Sequence, residues 1–242
     1  MQIRTQTRRN MRKLFIYMVI LCLVSCEVIP EGERLIELPV SFTGERTHVL
    51  IEYTGFRCVN CPKAAETAHE LQSLYGERLI VVAMHPASNP FTQGLYDYTC
   101  PAADSIYRWM GGTASTPFPT GNIDMVATNG RYFMDPTEWP AALSRAMEDT
   151  VVNLSAFRKS YWLVEDSVPG VQAMPDGSVN TGYYHRHVLR AVSDEANMTI
   201  PDGCNRAHCR IVELYLDNND KHIIQAYEKK LTSSGFMPPI YD

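Results

Sequence analysis

Two cysteines separated by two residues, Cys58-Val59-Asn60-Cys61, are the residues of this chain best suited to covalent chemistry. What they can do depends on their setting. Ahead of them, Val49-Leu50-Ile51-Glu52-Tyr53 reads as a buried strand ending at Thr54-Gly55. Behind them, Ala64, Ala65, Ala68, Leu71 and Leu74 recur at three- and four-residue spacing, the pattern of an amphipathic helix. The pair therefore falls at a helix N-terminus, where unpaired N–H groups and the dipole favour a thiolate and lower a thiol pKa from about 8.5. Cys58 is then the expected exposed nucleophile toward a substrate disulfide. Cys61, one turn on and more buried, is the expected resolving thiol. Arg57 beside Cys58 could stabilise the thiolate further, and Pro62 suits an early helical position because its missing N–H is not needed there. The plainer alternative is a structural bridge.

The surrounding elements follow from periodicity. Gly76 is a plausible helix stop, and Leu79 to Met84 is a continuous apolar run, as in a strand buried on both faces. A short helix is expected near Ala102 to Met110. Thr128-Asn129-Gly130 is a hairpin turn signal between Asn122–Ala127 and Arg131–Met134, and Pro136 to Asp149 reads as a last helix. The strand–helix–strand start implies a parallel pair with a right-handed crossover. Beyond residue 150, Tyr161–Glu165, Tyr184–Val192, Cys209–Leu216 and His222–Lys230 read as strands joined by Gly/Pro/Asn-rich loops. The expected organisation is a signal segment (1–25), a tether or edge segment (26–46), an α/β domain (47–150) and a small antiparallel all-β domain (151–242).

Residues 47–150 resemble the thioredoxin superfamily. Three features carry the resemblance: the Cys pair between strand and helix, Glu52 six residues before Cys58, and Phe118-Pro119-Thr120 just before a strand. It implies that Glu52 is a buried acid moving the proton of the resolving cysteine. It also implies a cis-proline loop in which Pro119 faces the Cys pair while Phe118 and Thr120 help shape the client site. Thr116-Pro117 is a second place for that cis bond. A narrower resemblance covers most of the chain after residue 25. Thr54-Gly-Phe-Arg-Cys-Val-Asn-Cys-Pro-Lys-Ala-Ala65, Pro119-Thr-Gly121, Val164-Glu-Asp166 with Gln172, Tyr184-His-Arg-His-Val-Leu-Arg190 and Ile224-Gln-Ala226 are similar to the outer-membrane-protein-twenty-eight-related lipoproteins of anaerobic Gram-negative bacteria.

Charge and the remaining cysteines bear on compartment. Net charge is -5, and five of the positive charges (Arg4, Arg8, Arg9, Arg12, Lys13) lie in the first 13 residues, so the rest is strongly acidic. Such a surface repels nucleic acid, and no nucleic-acid partner is expected. Leu14 to Val24 is too short to span a membrane but suits a signal-peptide core. It ends in Leu23-Val24-Ser25-Cys26, which looks like a lipobox, with Cys26 as the lipid attachment site and the outer membrane as the expected location. Disulfides can persist in that setting. Cys204 and Cys209 are expected to form a local structural disulfide, with Cys100 free. A weaker metal reading would use Cys204, His208, Cys209 and His185 or His187, the two histidines alternating on one strand face; the preferred reading has no metal. His69 and His85 read as ordinary residues.

Together these features lead to a lipid-anchored envelope thiol–disulfide oxidoreductase. Its partners would be protein clients and a redox protein, and no organic cofactor is expected. The alternative is a surface or outer-membrane binding lipoprotein that uses the same scaffold without redox turnover.

Overall fold

The two apolar runs that flank the cysteines become adjacent, fully buried strands. In the computed structural model β1 (His48–Tyr53) pairs in parallel with β2 (Leu79–Met84), and helix α1 (Cys61–Tyr75) connects them. Residues 45–94, 96–150, 152, 156–196, 198–219 and 221–231 are described; the expected signal, Cys26 and nearly all of the tether lie outside them. Helix α1 stops at Gly76, which takes φ 58°, a left-handed conformation that costs glycine little. Helix α2 (Pro101–Trp109), strand β3 (Thr120–Ile123) and helix α3 (Trp139–Ala146) follow. β3 runs antiparallel to β1 along its free edge.

Strand alternation decides which helix lies on which face. Leu50, Leu79 and Val81 pack with Ala64, Ala68 and Leu71 of α1 and with Trp139 and Leu143 of α3. Val49, Ile51, Tyr53 and Val82 belong to a second cluster with Ala103 and Tyr107 of α2. The expected hairpin keeps its turn, with Asn129 and Gly130 at φ 52° and 73° between bridging Thr128 and Arg131. Its arms are shorter than the pattern suggests. Asp124 and Met125 both take positive φ and end β3, leaving a Gly121–Met134 bridge in place of a second strand.

The second half of the chain departs from expectation. β4 (Phe157–Glu165), β7 (Val188–Ser193), β8 (Cys209–Asp217) and β9 (Ile223–Lys230) do not fold into a sheet of their own. They extend the first one into a seven-stranded mixed sheet ordered β3-β1-β2-β7-β4-β8-β9. The join is β7 lying parallel to β2, where the Ala83 N–H donates to the His187 carbonyl at 2.7 Å. The boundary expected at residue 150 is therefore not a break in the sheet, and the described residues fall in one compact unit. A separate antiparallel pair does exist, β5 (Val168–Ala173) with β6 (Val179–His185).

That two-stranded hairpin docks on the Cys-bearing loop. The Ala173 N–H donates to the Phe56 carbonyl at 2.8 Å, and Phe56, Tyr98, Val168 and Val188 form a small apolar cluster beneath it. Gly170 permits the close approach, because a Cβ there would overlap the hydroxyl end of buried Tyr98. Tyr98 cannot swing aside cheaply, with the His185 ring 4.4 Å away. Gly170→Ala is expected to destabilise the protein by about 1–3 kcal/mol, the range of overpacked cores. Urea denaturation checks the value.

Candidate functional site

Cys58 and Cys61 are joined by a disulfide, with Cα atoms 5.4 Å apart. The bond lies across the first turn of α1, as the spacing suggests. The Cys58 N–H donates to the Gly55 carbonyl at 3.0 Å, and the Cys61 N–H to the Cys58 carbonyl at 3.3 Å. Gly55 is needed because a Cβ there would press on the Phe91 backbone carbonyl, which also accepts the Arg57 N–H at 3.1 Å. Asn60 caps the helix without a side-chain hydrogen bond, and the first turn carries no acidic residue. With the Cys61 N–H on the Cys58 carbonyl and no N–H on Pro62, what the helix start offers a sulfur anion is chiefly the positive end of its dipole.

Burial differs from the expected arrangement. Cys58 is only 2 % exposed and Cys61 1 %, so the first sulfur is as enclosed as the second. Gln172 on β5 also reaches the loop, and its Nε2 donates to the Cys58 carbonyl at 2.8 Å. Arg57 is exposed, and its guanidinium donates to the Gln93 carbonyl at 3.4 Å.

Glu52 lies at the end of β1, 3 % exposed, with Oε1 unpartnered. Burial pushes its pKa up to about 8, so it is mostly protonated at neutral pH. Glu52 and Cys61 line a cavity of about 20 Å³ together with His85, Gln172, Tyr183 and His185. The acid and the expected resolving cysteine therefore meet at one small polar space.

The Phe118–Pro119 peptide bond is cis, which assigns the loop to the second of the two prolines. Phe118 stacks on Phe91 and meets the edge of Tyr107, each with ring centroids 6.0 Å apart. The Thr120 hydroxyl donates to the Met134 carbonyl at 2.9 Å and fixes the strand that follows. Phe118, Pro119 and Thr120 line a groove of roughly 910 Å³ with Asn60, Lys63 and Thr67 of the Cys helix. An extended peptide could lie there with Asn60, from between the two cysteines, at its wall.

The remaining expectations fare differently. Cys204 and Cys209 are free thiols, not a disulfide. Arg190 Nε donates to Cys204 Sγ at 3.2 Å, while Cys209 Sγ donates to the Asn205 carbonyl at 3.3 Å, so the two sulfurs are engaged by different partners. Burial pushes the Cys209 thiol up to about 12. Cys100 is free and buried, with Sγ accepting the Ala103 N–H at the start of α2. His185 and His187 are not alternating residues of one strand. His185 ends β6, whereas His187 lies in the connection before β7 at φ 57°, its N–H donated to Asp166 Oδ1. Among the described residues no group of three or more His, Cys, Asp or Glu side chains is arranged to hold a metal ion.

Gln172, His85, His185 and Tyr183 were not expected at the cysteine site. Gln172 and His185 stood in motifs, but no local pattern assigns them or Tyr183 to the pair, because β5 and β6 arrive from more than a hundred residues downstream; His85 follows β2 with no pattern of its own.

The fold and site thus define a mixed α/β protein with a cysteine pair at a helix start, a buried acid behind it and a cis-proline loop bordering the adjoining groove. Among solved structures the chain is similar to HBP35 of Porphyromonas gingivalis, with a TM-score of 0.60 at 13 % identity over 83 % of this chain and 81 % of that one. That likeness is one of overall fold. A structural-genomics protein from Agrobacterium tumefaciens aligns at a TM-score of 0.47 and 12 % identity, over 82 % of this chain and 100 % of that one. No protein-family model matches the chain, and no curated protein matches it.

Proposed function

We propose that this protein is a thioredoxin-like thiol–disulfide exchange protein that acts on protein clients. The observation carrying the proposal is the meeting of Cys61 and the buried, protonated Glu52 at one cavity beneath the cysteine disulfide. A purely structural bridge gains nothing from a buried carboxyl with an unpartnered oxygen, which costs folding energy. When a client thiolate attacks Cys58 Sγ, the Cys58–Cys61 bond breaks and Cys61 leaves as a thiolate. The Glu52 carboxyl is placed to protonate it. A second client thiol then releases Cys58, and the client's two electrons remain on the cysteine pair. In the reverse direction the Glu52 carboxylate removes the Cys61 proton so that Cys61 can attack the mixed disulfide. The groove beside the cis-Pro119 loop would hold the client chain. The lipobox-like sequence ending at Cys26 supports placing this activity in the cell envelope, anchored at the outer membrane.

One observation favours a second reading, that of a binding lipoprotein with an inert bridge: both sulfurs are almost fully enclosed. The redox equilibrium of the pair in graded glutathione buffers, read by alkylation mass shift, separates the two. A reversible transition between roughly -120 and -270 mV is expected of a working exchange pair, and a pair still oxidised below about -300 mV would support the inert bridge.

A further inference from the structure

Exchange at the cysteine pair requires Glu52 to give up and regain a proton, yet Glu52 is only 3 % exposed and its Oε1 is buried without a partner. Its register partner across the parallel pair is Ala83, and His85 stands two residues beyond Ala83, on the side where strand alternation places it beside Glu52. His85 is 1 % exposed, and neither ring nitrogen has a partner. Two unpartnered imidazole nitrogens in a packed interior are costly unless water or a proton-transfer role accounts for them. The polar cavity shared by Glu52, Cys61 and His85 is large enough for one water molecule. Behind His85, His185 lies with ring centroids 5.7 Å apart, and its Nε2 meets the Val171 carbonyl at 3.1 Å. That contact makes Nε2 the donor and leaves Nδ1 as an acceptor. Half-buried Tyr183 and exposed Arg186 complete the wall and lead from the cavity to solvent.

We propose that His85, backed by His185, is the relay through which Glu52 exchanges its proton with solvent during thiol–disulfide exchange. This inference rests on the exchange reading above. As Cys61 attacks a mixed disulfide on Cys58, its proton passes to the Glu52 carboxylate and then, through one water, to an imidazole nitrogen of His85. The opposite ring nitrogen releases a proton toward His185 and the Tyr183–Arg186 opening. No electrons move in the relay; the two electrons of the step pass within the sulfur exchange. The groups facing His85 are Glu52 from β1, His185 at the end of β6, Arg186 just after it, Arg190 from β7 and the Tyr98 ring at 5.5 Å. Burial, His185 and Arg190 all hold the imidazole below its ordinary pKa, so it rests neutral and carries the proton only in passage.

The test uses the reduced protein carrying Cys204→Ser, which removes the half-exposed free thiol, and dithionitrobenzoate as probe. Attack by Cys58 releases one equivalent of the yellow thiolate, and resolution by Cys61 releases the second. His85→Ala is expected to slow the second release about a hundred-fold at pH 7, the lower side of what a positioned acid–base group contributes. Imidazole, which fits the vacated space, is expected to restore the rate, and pyrrole, of the same shape but not basic, is not. His85→Gln, which fills the site without a base, should be slow and should gain nothing from imidazole. A normal second release in both variants would overturn the relay. So would a slow release that imidazole and pyrrole restore equally, because space-filling would then suffice. If the His85-containing protein itself releases only one equivalent, the exchange reading fails and the relay falls with it.

Discussion

Cys61→Ser is expected to turn the exchange reaction into a trap. With Cys58 still able to attack a disulfide and nothing left to resolve the product, client and protein should accumulate as a mixed disulfide. Turnover should fall by several orders of magnitude, as when a member of a catalytic nucleophile set is removed. Cys58→Ser should lose turnover equally but form no adduct. The asymmetry follows from the structure. Cys58 lies at the uncapped end of α1 beneath Gln172, whereas Cys61 shares the polar cavity with Glu52. The measurement is non-reducing electrophoresis of each variant after incubation with a disulfide-bonded protein, with the adduct mapped by mass spectrometry. If both variants stay adduct-free while the native pair is oxidised, the bond is inert and the binding reading gains. An adduct on Cys61 instead would reverse the assigned roles.

The site was legible in sequence where the chain is local and hidden where it is not. Cys58, Cys61 and Glu52 lie within ten residues, and the strand and helix that hold them announce themselves by an apolar run, a three-to-four-residue period and a stopping glycine. The hairpin over the site left no such trace. β5 contains Pro169 and Gly170, residues depleted in strands, and β6 is mostly exposed, so neither presents an alternating apolar face. Tyr184 to Val192 reads as one strand, yet the chain breaks at His187, where Asp166 accepts the backbone N–H and Arg210 reaches the ring. A histidine in the left-handed region is uncommon, and no flanking glycine or proline marks the break.

The extension of the sheet was hidden for a related reason. A half-buried strand records that one side is apolar, not which neighbour it will meet. β7 carries the same kind of pattern whether it pairs within a small domain or beside β2. What ties it to β2 is a long-range fit, the Ala83 N–H on the His187 carbonyl and the Arg210 guanidinium on the Val81 carbonyl at 3.5 Å. Cys204 and Cys209 misled in the opposite way. Close spacing suggests a bridge, but Arg190 and the Asn205 carbonyl engage the two sulfurs separately.

Glu52→Gln is expected to make the protein more stable and slower at once. Burial raises the Glu52 pKa from 4.5 to about 8, so between those values the folded chain holds a proton that the unfolded chain has released. Folding stability from this group is therefore intact below pH 4.5, falls as pH rises and levels off above about 8. At 1.36 kcal/mol per unit, the loss is on the order of 3 kcal/mol at pH 7 and under about 1 kcal/mol at pH 5. A neutral amide of the same shape removes that loss, and the gain should grow with pH in urea titrations at pH 5, 7 and 8. The buried histidines act with the opposite sign. His185 is lowered to about 4 and His85 is also held low, so the unfolded chain takes up protons below about 6.5 that the folded chain refuses, and stability drops toward acid. The native protein should thus be most stable near pH 6.5, and the variant should lose the decline above it. Its exchange rate should fall over the same range, because Cys61 no longer has a carboxyl with which to trade its proton. A variant that is both less stable and slower at pH 8 would mean that the carboxyl is held by partners as an anion. Greater stability with an unchanged rate would leave Glu52 as a buried acid without a part in the exchange.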